Sequence, residues 1–313
     1  MLAGSLAPSS ERSKPAGLVA SGSQVRFNLV LNLRDVAGAS FVVSRLCFDS
    51  PPRRALRHDQ RVDPDRRPIT IVTGGGRGIG AATAVHLARG GHDVVVNYRR
   101  NQEAAEWVVR EVETAGARAV AVQADVAVET DVERLFAIAC DALGPVTGLV
   151  NNAGATLHLG DLAETPVAII REVIDVNLTG VILCARRAAQ VMSTGRGGAG
   201  GAIVNISSAA ATIGSAHEYV HYAAAKAGVD ALTLGLSKEL ATQGIRVNAV
   251  APGIVRTDIH TDAGDAGRAD RLAGRVPIGR PGDAHEIAAA IVWLLGAEAS
   301  YVTGAILRVA GGM

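Results

Sequence analysis

The sequence predicts an α/β protein: a doubly wound, parallel, seven-stranded sheet with helices on both faces. Three observations predict it. From Pro68 onward, short β-branched apolar runs alternate with longer stretches of helical spacing. The runs are apolar at almost every position, as strands buried on both faces must be. The composition is 48% hydrophobic but only 3% aromatic, with 36 glycines, a mix that suits helices packed closely on a sheet.

Ile69–Val72 is the first strand, and helical spacing follows over Ala81–Arg89. Asp93–Asn97 (DVVVN) is the second strand, with a helix over Gln102–Ala115. Arg118–Gln123 is the third, with a helix over Thr130–Leu143. Gly148–Asn151 is the fourth, followed by one long helical stretch through Val167–Met192. Ala202–Ser207 (AIVNIS) is the fifth, with a helix over Tyr219–Gln243. Arg246–Ala251 is the sixth, with a helix over His285–Leu295, and Ala305–Val309 closes as the seventh. Right-handed crossovers wind such a series into a Rossmann-like sheet. Ser193–Gly201 (STGRGGAGG) is too glycine-rich to continue a helix and predicts a flexible surface loop.

The bulk numbers exclude several classes. The net charge of the 313 residues is +1, which gives no whole-chain case for nucleic acid or an acidic membrane surface. No apolar run reaches the ~18 residues that span a bilayer. Cys47, Cys140 and Cys184 are scattered, which excludes a disulfide scaffold or a zinc site and fits a reducing cytoplasm. Residues 1–66 differ from the rest: ten Lys+Arg against six Asp+Glu give +4, whereas residues 67–313 carry −3. This segment reads as a disordered or non-native N-terminal extension, with a small packed appendage or a targeting peptide as alternatives. Its charge is the sole ground for a nucleic-acid partner, and none is expected. Residues 67–313 read as a single domain.

Thr73-Gly74-Gly75-Gly76-Arg77-Gly78-Ile79-Gly80 joins the first strand to the first helix. Glycines there let the backbone approach a pyrophosphate, and the helix start offers free N–H groups. Tyr222 and Lys226 stand at i and i+4 on one helix face. A phenol titrates near ~10, and a neighbouring ammonium favours its ionised form, which makes it a usable acid and base. Asn205-Ile206-Ser207-Ser208 ends the fifth strand, at the sheet edge where ligands bind.

The TGxxxGxG spacing, with Asn151-Asn152-Ala153-Gly154, Asn177, Ser208 and Tyr222/Lys226 in this order, resembles the classical short-chain dehydrogenase/reductase family over residues 68–313. The resemblance implies that Tyr222 exchanges the proton and that Lys226 binds the nicotinamide ribose and lowers the phenol pKa. It implies that Ser208 stabilises the substrate oxygen, with Ser207 the lesser choice, and that Asn177 holds a proton relay. The usual serine-to-tyrosine spacing is one residue shorter and would fall on Ala209, which has no hydroxyl.

The second strand ends in Asn97-Tyr98-Arg99-Arg100, with no acid for a ribose 2′-OH, and Arg77 lies in the turn. Guanidinium groups there suit a 2′-phosphate, so the expected cofactor is NADP(H). The resemblance also implies that Asp125 and Val126 meet the adenine and that Asn152, Ala153 and Gly154 line the cofactor channel. Pro252, Gly253, Val255 and Thr257 would lie at the carboxamide.

Asp258–Val276 reads as a mobile lid, with Ile259, His260 and Arg271 as ligand contacts or merely exposed residues. His217, His221 and His260 show no ligand spacing, and no metal is expected. Ser215–Tyr222 (SAHEYVHY) resembles the glucose 1-dehydrogenase-like branch and favours a sugar- or polyol-like substrate. A 3-oxoacyl-carrier-protein reductase is the alternative, and a non-catalytic nucleotide-binding protein is the contrasting reading. The resemblance further implies a homotetramer, built on the helices over Val167–Met192 and Tyr219–Gln243 and on the C-terminal strand.

Overall fold

The computed structural model describes residues 67–313 apart from Ala263, without the side chains of His260 and Asp262. The expectations for residues 1–66, for Cys47 and for the His260 side chain lie outside the described residues. The strands are β1 (Ile69–Val72), β2 (Asp93–Tyr98), β3 (Ala119–Gln123), β4 (Gly148–Asn151), β5 (Gly201–Ile206), β6 (Ile245–Pro252), β7 (Val255–Arg256), β8 (Gly282–Asp283) and β9 (Ile306–Val309). The helices are α1 (Gly78–Arg89), α2 (Gln102–Thr114), α3 (Glu129–Ala142), α4 (Val167–Ile174), α5 (Gly180–Met192), α6 (Ala210–Ile213), α7 (Val220–Leu240), α8 (Ile259–Asp262), α9 (Arg268–Arg271) and α10 (Ala284–Leu295).

Seven strands form one parallel sheet in the order β3-β2-β1-β4-β5-β6-β9. Alternation along each strand divides the core between its two faces. Val72, Val96 and Val204 pack with Leu87, Val108 and Ile291 of α1, α2 and α10. Ile71, Val95 and Ile203 pack on the other face with Phe136, Cys184 and Leu240 of α3, α5 and α7. The strand order reverses between β1 and β4, which pair from Thr70↔Gly148 to Val72↔Val150. Such a switch point opens a crevice beyond the carboxyl ends of the strands.

Three expectations change. The stretch read as one helix over Val167–Met192 is α4 and α5 joined by a π-helical turn at Asp175–Thr179. The short strands β7 and β8 pair separately and were not foreseen. The Ser193–Gly201 connection is pinned rather than loose. Ser193 is fully buried, and Gly198 N–H, Gly200 N–H and Gly201 N–H donate to Ser193 O, Met192 O and Gly244 O at 2.8, 2.7 and 2.9 Å. A Cβ on Gly201 would run into Thr147 O and lie 2.8 Å from Met192 Cε. These glycines serve close approach of backbones.

Candidate active site

The turn after β1 is stitched to the ends of its neighbours. Buried Thr73 accepts at Oγ from Asn152 N–H (2.9 Å) and Ala153 N–H (3.0 Å) and donates to Val150 O (3.3 Å). Asn152 Nδ2 donates back to Thr73 O (2.8 Å) and Gly74 O (3.1 Å). Asn97 Oδ1 accepts from Gly74 N–H at 3.2 Å, while its Nδ2 donates to Ala124 O at 3.0 Å. Gly74 has φ +61°, which a side chain rarely adopts. No side chain caps the α1 N-terminus and its first turn carries no acid, so its positive end is left for an anion.

A cleft of about 800 Å³ runs beyond the strand ends. Gly76, Arg77, Tyr98, Arg99 and Arg100 line one part of it. Gly74, Gly78, Ile79, Asn152, Ala153 and Gly154 line the floor. Ser208, Tyr222, Lys226, Pro252, Gly253, Val255 and Thr257 line the remainder. Thr73, Gly80, Asn97, Asp125, Val126 and Asn177 stand behind this wall. Asn97 is consumed by backbone hydrogen bonds, and Val126 packs against Gly180, where a Cβ would lie 2.8 Å from its Cγ2. Asp125 reaches the cleft through Arg99, whose Nε lies 2.9 Å from Asp125 Oδ2 and whose Nη1 lies 3.2 Å from Glu172 Oε1. Glu172, itself in the wall, was not anticipated.

β5 and α7 bring the reactive side chains together. Ser208 lines the cleft with Tyr222, and its Oγ accepts from Ala210 N–H at 3.1 Å. Ser207 lines the cleft as well, but it is buried and its Oγ donates to Lys226 O at 3.4 Å. Lys226 Nζ donates to Ile206 O at 2.8 Å and lies 5.6 Å from the Tyr222 ring centroid. Burial brings Lys226 down to about 8, opposed by the Asp230 carboxylate one turn along the helix. Burial also drives the Tyr222 phenol well above its usual value, and the Ser208 hydroxyl only partly offsets this.

Asn177 sits fully buried in the π-turn. Its Nδ2 donates to Ala155 O (2.7 Å) and Val173 O (2.9 Å), while Oδ1 has no partner. A Cβ on Gly154 would lie 2.7 Å from that Oδ1 and 3.6 Å from Lys226 Nζ, so both polar atoms converge on one glycine. A π-turn widens the helix locally and is frequent at functional sites.

The segment before Tyr222 and the 258–276 stretch meet at residues that sequence reasoning missed. Arg268 of α9 donates from Nη2 to Glu218 Oε2 (2.6 Å) and Tyr219 Oη (3.3 Å). Tyr219 meets Tyr222 edge-on at 5.3 Å between ring centroids. Ile259 lines the cleft, whereas Arg271 pairs with Asp265 and does not. His217 pairs with Asp161 at 2.8 Å. His221 is buried and its pKa is lowered, chiefly by that burial. Among the described residues no cluster of His, Cys, Asp or Glu can hold a metal ion, and no helix is long and apolar enough to cross a membrane.

A family model described as enoyl-(acyl carrier protein) reductase matches residues 74–313. The uncharacterized oxidoreductase YgfF of Escherichia coli is 47% identical over 244 residues, covering 78% of this chain and 99% of that protein. A 3-oxoacyl-(acyl-carrier-protein) reductase of Synechocystis is 40% identical, covering 78% and 96%. The crystal structure of a dehydrogenase/reductase from Sinorhizobium meliloti is similar with a TM-score of 0.73 at 37% identity, covering 79% of this chain and 95% of that one.

Proposed function

The chain belongs to the short-chain dehydrogenase/reductase family, and from that premise we propose that residues 67–313 form an NADP(H)-dependent oxidoreductase interconverting an alcohol and a carbonyl. The observation that carries this reading is the meeting of Ser208, Tyr222 and Lys226 in a cleft that also has a basic, glycine-floored part. The cradle fits a dinucleotide. A Cβ on Gly80 would lie 2.5 Å from Asn152 Nδ2 and 3.0 Å from Gly75 Cα, so the turn lies directly on the helix start that would face a pyrophosphate.

Gly74–Gly80 would hold the pyrophosphate, and Arg77, Arg99 and Arg100 the 2′-phosphate. Asp125 and Val126 would frame the adenine, Asp125 by way of Arg99. Asn152–Gly154 would line the channel, Val255 and Thr257 would meet the carboxamide, and Lys226 the ribose. When bound, the nicotinamide supplies or accepts the hydride. The chain's own side chains handle the proton. Burial keeps the Tyr222 phenol protonated, so it donates to a carbonyl oxygen as the alcohol forms. Ser208 holds the same oxygen and stabilises its developing charge. Lys226 holds a cation beside the phenol, and Asn177 Oδ1 offers an acceptor on the path by which the proton is replaced.

Ser208 and Tyr222 handle one oxygen. What flanks them decides between the sugar- or polyol-like substrate, favoured by Ser215–Tyr222, and the 3-oxoacyl thioester that the Synechocystis relative's name brings to mind. The experiment is NADPH fluorescence titration with turnover on a carbonyl panel, using NADPH and NADH. Preference for NADPH is expected, and Arg99→Ala should reduce it roughly tenfold, as loss of one charge-assisted contact would. A strong NADH preference overturns the cofactor assignment. NADPH binding without turnover, indifferent to Tyr222→Phe, favours a non-catalytic nucleotide-binding protein.

A further inference from the structure

We propose that the substrate is an apolar carbonyl compound with a single oxygen function at the reacting end, selected by a wall of Leu157, Tyr219 and Ile259. The inference rests on the oxidoreductase reading and names the substrate class for that same site. All three side chains line the cleft. Leu157 and Tyr219 pack in one apolar cluster with Val173, Ala210, Ala223 and Tyr222 itself, which places them beside the reacting phenol. Leu157 is held at φ +58°, a conformation rare for a side chain of its kind. That backbone state is retained where it sets an apolar group against Tyr222.

The two hydroxyls at this wall, Tyr219 Oη and Thr156 Oγ, are already engaged. Tyr219 Oη accepts from Arg268 Nη2 at 3.3 Å, and that guanidinium also lies over the ring, 5.3 Å from its centroid. Arg268 in turn is bound to Glu218 at 2.6 Å, with only 8% of its side chain exposed. The Tyr219 hydroxyl is thus tied to α9, while its ring packs edge-on against Tyr222. Thr156 Oγ donates to Ile259 O at 3.4 Å. Asp258 also lines the cleft but is exposed, so water competes for it.

At the phenol end of the cleft the hydroxyls of Ser208 and Tyr222, with Ser207 beside them, are the groups set to bind the reacting oxygen. A polyol entering here would bury several further hydroxyls, and each one left unpaired weakens binding roughly ten- to a hundredfold.

The test is steady-state kinetics of the full chain with NADPH on an aryl ketone and a medium-chain aliphatic ketone, with acetoacetyl-CoA as a thioester. The polyol arm is glucose with NADP⁺, compared with the matching secondary alcohols. The expected result is a kcat/KM for the apolar compounds roughly a hundredfold above that for glucose and above that for the thioester. Tyr219→Ala should raise KM for the ketone about tenfold with kcat changed less than about threefold, and Tyr219→Phe, which keeps the ring, should recover most of the loss. Ile259→Ala should show the same split, and serves if Tyr219→Ala fails to fold. A preference for glucose or for the thioester overturns this inference and leaves the oxidoreductase reading standing. An unchanged KM in both alanine variants overturns it as well. Absence of turnover on every arm overturns both.

Discussion

Gly80→Ala separates the fit of the cradle from the stability of the fold. Gly80 lies inside α1 without a positive φ, so propensity alone favours alanine by about 1 kcal/mol. Space sets the opposite sign. The new methyl would lie 2.5 Å from Asn152 Nδ2 and 3.0 Å from Gly75 Cα, with Gly74 O closer still. Asn152 is held there by two hydrogen bonds and the other two atoms are backbone, so the turn must move. Overpacking of this kind costs about 1–3 kcal/mol. Relaxation of the turn and the gain in propensity leave the free protein only about 0–2 kcal/mol less stable. A dinucleotide that needs the original turn meets the strain in full, so NADPH should bind roughly 5- to 150-fold more weakly. Gly235→Ala is the control: it is helical with nothing within 4 Å of its Cβ, and should gain up to about 1 kcal/mol with Kd unchanged. The assays are NADPH fluorescence titration and thermal unfolding. A Gly80→Ala protein that binds NADPH within twofold of the parent would refute the reasoning.

Two further outcomes follow from the geometry. Lys226 sits near 8 because burial lowers it while Asp230 opposes. If its charged form supports reduction, activity is full below about pH 8 and falls as pH rises through that value. Asp230→Asn removes the opposing charge and should move this limb to lower pH, with Asp230→Glu restoring it; a limb that stays put contradicts the coupling. Val167, Ile182 and Leu234 on α4, α5 and α7 are 61%, 41% and 44% exposed, and covering them fits a homotetramer. Light scattering should then give four times the chain mass, and a monomer would contradict it.

The sheet was legible because its strands are buried on both faces. Ile69–Val72, an uninterrupted β-branched run, and the short segment Gly148–Asn151 coincide with β1 and β4. The π-turn at Asp175–Thr179 was not legible: it is a single widened turn between two stretches that are themselves helical. Ser193–Gly201 misled because glycine reads as freedom when its reason is the proximity of Thr147 O and Met192. Asn97 and Asp125 are tied to their neighbours, Asn97 to the Gly74 N–H and Asp125 to Arg99, because a strand-end side chain can also serve the neighbouring turn. The Arg268 contact with Glu218 and Tyr219 spans about fifty residues of sequence, and no local pattern announces it. The 14-residue gap from Ser208 to Tyr222 is accommodated by α6 and the Gly214 turn, at φ +77°.

The proton-donating role of Tyr222 is the claim on which the functional account turns, and Tyr222→Phe tests it directly by deleting one oxygen from a packed ring. NADPH titration of the variant should give a Kd within about threefold of the parent, while ketone reduction should fall about 10²–10⁴-fold, as expected for loss of a general acid. Turnover within tenfold of the parent, at intact cofactor affinity, would contradict the account.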